Sequence, residues 1–172
     1  MSGVRSDNVA VADMVAAAIK FSAEKVGRQS QDEVLAALRA GDCTVCDYLR
    51  TGLANEIARY LGSVDDTIKA VYHYDPEHAT SLDEPISERS HQSPGIHLIA
   101  WTSQKSAALA SVISLLSLAV AEEHGRLGCP KANALCYRLN IQVVDDTEVN
   151  SRLGYGALIN SLYVRPVQIW RR

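Results

Sequence analysis

Apolar side chains recur every three or four residues through the first third of the chain, which is the spacing of an amphipathic helix. The pattern predicts a first helix over residues 7–25, a second that begins after Ser30 and a third that begins after Asp42. A glycine follows each stretch and is expected to end it: Gly27, Gly41 and Gly62. Residues 1–62 are therefore predicted to be the helical portion of the protein.

After Gly62 the period of the apolar positions changes to two. Alternation together with β-branched and aromatic side chains predicts four strands: residues 68–74, 96–101, 134–144 and 161–170. Pro166 has no N–H to donate, so the last strand is expected at a sheet edge or at a bulge. Residues 77–95 are rich in serine, proline and charge without any period, and are predicted to form a long loop.

One more helix is predicted over residues 105–125, with Thr102 or Ser103 as its cap. Its apolar residues lie on almost every side, so it is expected at the centre of the core. Serines interrupt it at a spacing that allows either close internal packing or a homodimer seam: Ser111, Ser114 and Ser117. The order of elements predicts a single α+β domain over residues 1–172, in which N-terminal helices precede a mixed or antiparallel sheet of about four strands (residues 63–172) packed against this long apolar helix.

Composition narrows the class of protein. Apolar residues make up 47% of the 172 residues and charged residues 22%, which is near the average of globular domains and does not indicate a fibrous, disordered or membrane protein. The net charge of −3, without a basic stripe, argues against nucleic-acid binding because phosphate contacts need concentrated positive charge. The N-terminal residues lack the pattern of a secretory signal, and the apolar run from Ala107 to Ala121 is too short to span a bilayer. A cytoplasmic location with reduced cysteines is expected.

The spacing Cys43-Thr44-Val45-Cys46 at the start of a predicted helix has three interpretations. The helix dipole lowers the pKa of a thiol at that position, which suits redox chemistry. Zinc binding would require two more ligands, for which Cys129 and Cys136 are the candidates. Since Cys46 also falls on the apolar stripe of the helix, the remaining interpretation is a pair of small buried hydrophobic side chains.

Polar residues near strand ends are the candidates for catalysis. His73, Asp75 and His78 lie on or just after the first strand, His97 lies on the second, and Asp145 follows the third. Histidine and carboxylate groups that converge at strand ends bind a divalent metal or exchange protons. The alternative is that His73 and His97 fill half-exposed positions on a sheet.

Two further features suggest binding. Tyr155, Asn160 and Arg165 adjoin a bend with glycines on both sides of the tyrosine, which is typical either of a loop that closes on a ligand or of an ordinary turn. Residues 55–71 also have the spacing of a helix-turn-helix, which requires a second helix beginning near Asp65.

The order helix, strand, loop, strand, helix, strand over residues 44–145 resembles the minimal core of the nucleotidyltransferases. That resemblance implies a Gly-Ser pair after the first strand, where Tyr74 and Asp75 stand, and paired acids on the second strand, where Gly95 and His97 stand. Asn140 occupies the position of the third acid. The resemblance therefore implies a nucleotide-binding or metal-binding core that has lost catalysis.

No Ser-His-Asp order, phosphate loop or dinucleotide fingerprint is present. The sequence favours a small intracellular non-catalytic binding or regulatory domain, and a homodimer is a possible assembly. One alternative is a nucleotidyltransferase-like domain that uses a divalent metal and His73, Asp75, His97 and Asp145. The other is DNA binding through residues 55–71.

Overall fold

The computed structural model describes residues 3–27, 30–74, 95–129, 137–162 and 166–172. The helices are α1 (Gly3–Lys25), α2 (Gln31–Arg39), α3 (Cys43–Val64), α4 (Ala107–Arg126), α5 (Asp146–Asn150) and α6 (Gly156–Ile159). The strands are β1 (Ile68–His73), β2 (Ile96–Thr102), β3 (Leu139–Asp145) and β4 (Val167–Arg171). The α+β class, with helices first and a four-stranded mixed sheet after them, is confirmed.

Local sequence signals place most ends of the first three helices. The hydroxyl of Ser30 accepts from the Glu33 amide at 3.2 Å, and Asp42 accepts from the Val45 amide at 3.1 Å, which confirms both predicted caps. Gly27 and Gly41 have φ of 69° and 78°, so both adopt the left-handed conformation that ends a helix. Gly62 does not end α3, which continues to Val64.

The cap of α4 differs from the predicted one. Ser106 accepts from the Leu109 amide at 3.0 Å and α4 begins at Ala107, so the prediction of Thr102 or Ser103 was wrong. Thr102 is instead the last residue of β2, where it is fully buried. Several serine and threonine residues precede the apolar run, and only their backbone conformation selects among them.

The strand order in the sheet is β3-β2-β1-β4. β1 runs antiparallel to both β2 and β4. β2 runs parallel to β3, and α4 connects these two strands. The predicted edge position of the last strand is confirmed, and its pairing with β1 is irregular between Val71 and Tyr72. β4 begins at Val167, directly after Pro166, rather than at residue 161. β3 begins at Leu139, while residues 134–136 lie outside the described ranges.

The second helix of a helix-turn-helix is not formed. Ile68–His73 is the strand β1, with β2 on one side and β4 on the other. The prediction of DNA binding through residues 55–71 by that motif was therefore wrong, because the β-branched and aromatic side chains of this segment complete a sheet.

The main core lies between the helices and one face of the sheet, which we call the inner face. It is centred on α3, where Ile57, Ala58 and Leu61 are fully buried, and includes Ile68 and Leu98 from the sheet. The expectation that α4 forms the centre was wrong, since Leu118 in that helix is 70% exposed. Among the helices of the described residues, α4 alone has the length and apolar composition to cross a membrane, a test that core helices of soluble proteins also pass.

The opposite face of the sheet, which we call the outer face, is only partly covered. A second, small cluster of buried residues lies there: Tyr74, Ile99, Val144 and Val149. Leu158 and Ile159 from α6 pack against it. Gly156 makes this packing possible, because a Cβ at that position would lie 2.6 Å from the backbone of Glu148. Elsewhere on this face, within the described residues, Tyr72 and Trp101 are only partly buried and Gln168 is exposed.

Candidate functional site

An open groove of about 440 Å³ lies on the outer face, above β1, β2 and β4. Three cations, two aromatic rings, an amide and an alanine line it: Lys69, Ala70, Tyr72, Trp101, Gln168, Arg171 and Arg172. We call it the sheet groove. Aromatic faces and cationic side chains at one surface suit a ligand that has a flat ring and a negative charge.

Asp146, beside the groove, holds two of its lining residues in place. The Lys69 ammonium donates to both carboxylate oxygens of Asp146, at 2.7 and 2.6 Å, and the Trp101 indole N–H donates to the same carboxylate at 2.8 Å. Hydrogen bonds from Lys69 and then from Trp101 hold the pKa of Asp146 below its usual value of 3.8. Asp146 therefore stays ionised and fixes the orientation of the indole ring.

Tyr72 and Gln168 form a second hydrogen-bonded pair in the groove lining. The Tyr72 hydroxyl donates to Oε1 of Gln168 at 3.3 Å, which is consistent with the pairing of these two residues across β1 and β4. Burial raises the pKa of Tyr72, and the positive charge of Arg171 offsets part of that rise. The phenol is therefore neutral at physiological pH and offers a flat apolar ring.

Arg171 and Arg172 differ in how they are held. The Arg172 guanidinium donates to the carbonyl oxygens of Gly62 at 2.7 Å and Ile68 at 3.2 Å, and pairs with Asp66 at 2.9 Å. Arg171 is exposed and has no ion-pair partner among the residues that the structure describes. It is therefore the cation of the groove that is available to an incoming anion.

Beside the groove, Tyr74 brings together two residues that the sequence singled out, His97 and Tyr155. Its ring lies edge-on to His97, with centroids 5.6 Å apart, and tilted to Tyr155 at 5.9 Å. Burial, followed by the influence of Tyr155, raises the pKa of Tyr74 to about 12. A phenol that stays protonated in this way contributes packing and a hydrogen bond rather than a base at neutral pH.

The catalytic candidates that the structure describes do not form one cluster. His73 pairs with Leu98 of the inner face, whereas His97 contacts Tyr74 on the outer face, so strand alternation directs the two imidazoles to opposite sides. Asp145 caps α5. Its carboxylate accepts a hydrogen bond from the Glu148 amide at 3.0 Å, and the Asp145 amide donates to the Glu148 carboxylate at 3.0 Å. Asp75 and His78 lie outside the described ranges.

Metal-ligating groups are likewise dispersed. Within the described ranges, no group of three or more histidine, cysteine or acidic residues is placed to bind a metal ion. His97 and Asn140, which the nucleotidyltransferase resemblance assigns to acid positions, are neighbours in the sheet, with Nδ1 and Nδ2 3.5 Å apart. Neither residue is a carboxylate, so this pair lacks the charge that magnesium requires.

The cysteines lie in different environments. Cys43 is exposed at the start of α3, while Cys46 is buried in the core and Cys129 is half-buried. Burial, and then the proximity of Cys46, raises the pKa of Cys129, which makes that thiol less reactive. Cys136 lies outside the described ranges, so the four-cysteine zinc site remains a prediction.

The predicted binding residues around the glycine bend have separate positions. Tyr155 contacts Tyr74, as described above, and the Asn160 amide donates to the Val149 carbonyl at 3.3 Å, which joins α6 to α5. Arg165 lies outside the described ranges.

Sequence reasoning did not identify the residues of the sheet groove. Lys69, Trp101 and Arg171 lie on three strands that are far apart along the chain, and their common surface depends on strand order. Arg171 also fell just outside the predicted last strand, which ended at residue 170. The available signal was the presence of two large aromatic side chains, Tyr72 and Trp101, on strands whose alternation assigns each residue to one face of the sheet. Comparison with protein-family models, curated proteins and solved structures finds no match to this chain.

Proposed function

We propose that this protein is a cytoplasmic, non-catalytic binding domain whose ligand occupies the sheet groove. One observation supports this most strongly: the guanidinium of Arg171, exposed and without an ion-pair partner among the described residues, lines a groove whose aromatic rings are held by hydrogen bonds. The charge of Lys69 is balanced by Asp146, and that of Arg172 by Asp66. An anionic ligand would therefore balance the positive charge of Arg171.

The ligand class follows from the lining. Tyr72 and Trp101 are held by hydrogen bonds before any ligand arrives, so little side-chain freedom is lost on binding. A flat heterocycle stacks on such rings, and a phosphate or carboxylate pairs with a guanidinium in two-point fashion. We therefore propose a nucleotide-like ligand, either a free mononucleotide or a nucleotide within a single strand.

The test uses AMP as the probe and ¹H–¹⁵N spectra of the two tryptophan indoles as the readout. The indole of Trp101 lines the groove, whereas Trp170 packs against α3 on the inner face and serves as the internal control. AMP is expected to shift the Trp101 signal and to leave the Trp170 signal in place. Inorganic phosphate, which lacks the flat ring, and adenosine, which lacks the negative charge, are each expected to bind at least about tenfold more weakly than AMP.

A matched pair of variants isolates the charge. Arg171→Gln is expected to weaken AMP binding about tenfold or more, because it removes the ion pair. Arg59→Gln removes a guanidinium that pairs with Glu56 on α3, away from the groove, and is expected to have no effect. Equal AMP affinity in both variants, or no Trp101 shift at millimolar AMP, would contradict the proposal.

Two further experiments distinguish this proposal from related functions. A short single-stranded oligonucleotide that binds more tightly than AMP, with an affinity that falls steeply with salt, would identify a strand as the source of the nucleotide. The nucleotidyltransferase-like alternative requires a thermal shift with ATP that depends on magnesium. A magnesium-dependent shift would favour that alternative over a non-catalytic domain.

A further inference from the structure

The outward side of α4 is an uncharged apolar surface that the other described parts of the chain leave exposed. Its exposed residues between the first turn and Ala121 are small or aliphatic: Ala107, Ala108, Ala110, Ser111, Ser114, Leu115, Leu118 and Ala121. We call this surface the α4 face. Leu118 is 70% exposed and Leu115 is 45% exposed. At 1.5 Å per residue the uncharged stretch is about 22 Å long.

The two serines on the α4 face do not oppose its burial. The Ser111 hydroxyl donates to the Ala107 carbonyl at 3.0 Å, and the Ser114 hydroxyl donates to the Ala110 carbonyl at 3.0 Å. Because both donors are already satisfied within the helix, covering the face leaves no unpaired hydroxyl. The face therefore behaves as a continuous apolar surface, and such surfaces mark interaction sites.

We propose that a second copy of this chain covers the α4 face, with the two helices antiparallel and crossing at Ser114. On this face Ala110 lies one turn before Ser114 and Leu118 lies one turn after it. An antiparallel crossing at Ser114 sets Leu118 of each copy against Ala110 of the other, so large residues meet small ones. A parallel pair would instead set Leu118 against itself and leave a gap beside the alanines.

The charges at the two ends of α4 favour the same arrangement. Lys105, just before the helix, pairs with Glu148 at 2.7 Å, while Glu122 and Glu123 lie near the C-terminal end with Arg126 as their only basic partner there among the described residues. In an antiparallel pair the positive N-terminal dipole of one helix lies beside the acidic end of the other. A parallel pair would instead bring the two acidic ends together.

The same charges make a lipid surface a poorer occupant. Helices that lie on membranes carry lysine and arginine along the flanks of their apolar side. The α4 face has none between Ala107 and Ala121, acidic residues follow it, and the chain has a net charge of −3. A second copy presents an equally uncharged face and avoids repulsion from anionic lipid.

Sedimentation equilibrium at several concentrations measures the assembly. The unmodified protein is expected to dimerise, and Leu118→Glu is expected to raise the dissociation constant at least about tenfold, because each copy would bury a carboxylate. Leu153→Glu is the matched control, since Leu153 is also largely exposed, at 56%, but lies outside α4. Circular dichroism melts check that both variants fold.

Cysteine crosslinking tests the register. Ser114→Cys is expected to form a disulfide-linked dimer under mild oxidation, well above the background of the native cysteines, because a residue on the two-fold axis meets its own copy. Ser111→Cys, off the axis, is expected to stay near that background. A monomer at every concentration, an unchanged dimer in Leu118→Glu, or preferential crosslinking through Ser111→Cys would overturn the proposal. Binding of the unmodified monomer to anionic phospholipid vesicles, lost in Leu118→Glu, would also overturn it.

Discussion

The indole ring of Trp170 occupies the space that a side chain at Gly62 would need. A Cβ built on Gly62 would overlap Cζ2, Cε2 and Cη2 of Trp170, so the edge strand β4 lies flat on α3 only because residue 62 has no side chain. Arg172 reinforces the contact, donating to the Gly62 carbonyl at 2.7 Å and placing its guanidinium 5.8 Å from the centre of the Trp170 ring. The end of the chain is thereby fixed to the helix.

Gly62→Ala is expected to lower the free energy of unfolding by about 1–3 kcal/mol, because a rigid ring must move to admit the methyl group. Urea denaturation followed by circular dichroism measures the change. Gly125→Ala is the control: it also lies in a helix, nothing is within 4 Å of a built Cβ, and alanine is the better helix former. That variant is expected to be neutral or up to about 1 kcal/mol more stable. Equal destabilisation in both would contradict the packing argument.

His124 is expected to make the fold less stable in mild acid. The side chain is 8% exposed, and burial lowers its pKa below the usual 6.5. As pH falls, the unfolded chain takes up a proton at His124 before the folded protein does. The contribution of neutral His124 to the free energy of unfolding is therefore fully present above about pH 6.5 and is lost as pH falls through the pKa of the folded state. Chemical unfolding at about pH 7 and about pH 5 measures it.

The control for this pH dependence is His124→Phe, which keeps a ring where the imidazole stacks on Tyr137, with centroids 4.1 Å apart, and removes the titration. The loss of stability between the two pH values is expected to be smaller in the variant. An identical loss in both proteins would show that other groups are responsible.

Tyr74 is expected to titrate near 12, later than an exposed tyrosine. NMR of ¹³Cζ-labelled tyrosine follows each phenol separately. Tyr155→Phe is expected to lower the pKa of Tyr74 while leaving it above 10, because burial is the larger cause and remains in the variant. Tyr48→Phe, on α3, is expected to leave the titration of Tyr74 unchanged.

Asp146 is expected to titrate below 3.8 and to depend on Lys69. In Lys69→Met the pKa of Asp146 is expected to rise, because the hydrogen bond from the ammonium is the largest cause of its low value. Carboxyl ¹³C shifts against pH measure it. Lys105→Met removes a neighbouring lysine that pairs with Glu148 at 2.7 Å, and is expected to leave Asp146 unchanged. A similar rise in both variants would indicate a general charge effect.

The sequence alone was sufficient for features that depend on residues close together in the chain. The caps at Ser30 and Asp42, the glycine ends at residues 27 and 41 and the change of period after Gly62 all come from interactions within one turn or one strand. Pro166 located the edge of the sheet for the same reason, since a missing N–H is a local property. These features also determined the α+β class.

The tertiary structure decided what the strands do together. Lys69 and Asp146 are 77 residues apart, and Tyr72 and Gln168 are 96 apart, so their contacts exist only once strand order and register are set. The same register separated His73 from His97, although neighbouring strands carry both. The apolar composition of α4 predicted a central core helix, but in the structure α3 occupies the centre of the core and one side of α4 is exposed. Alternation along a strand assigns residues to two faces, and only the packing of the whole chain decides which face is covered.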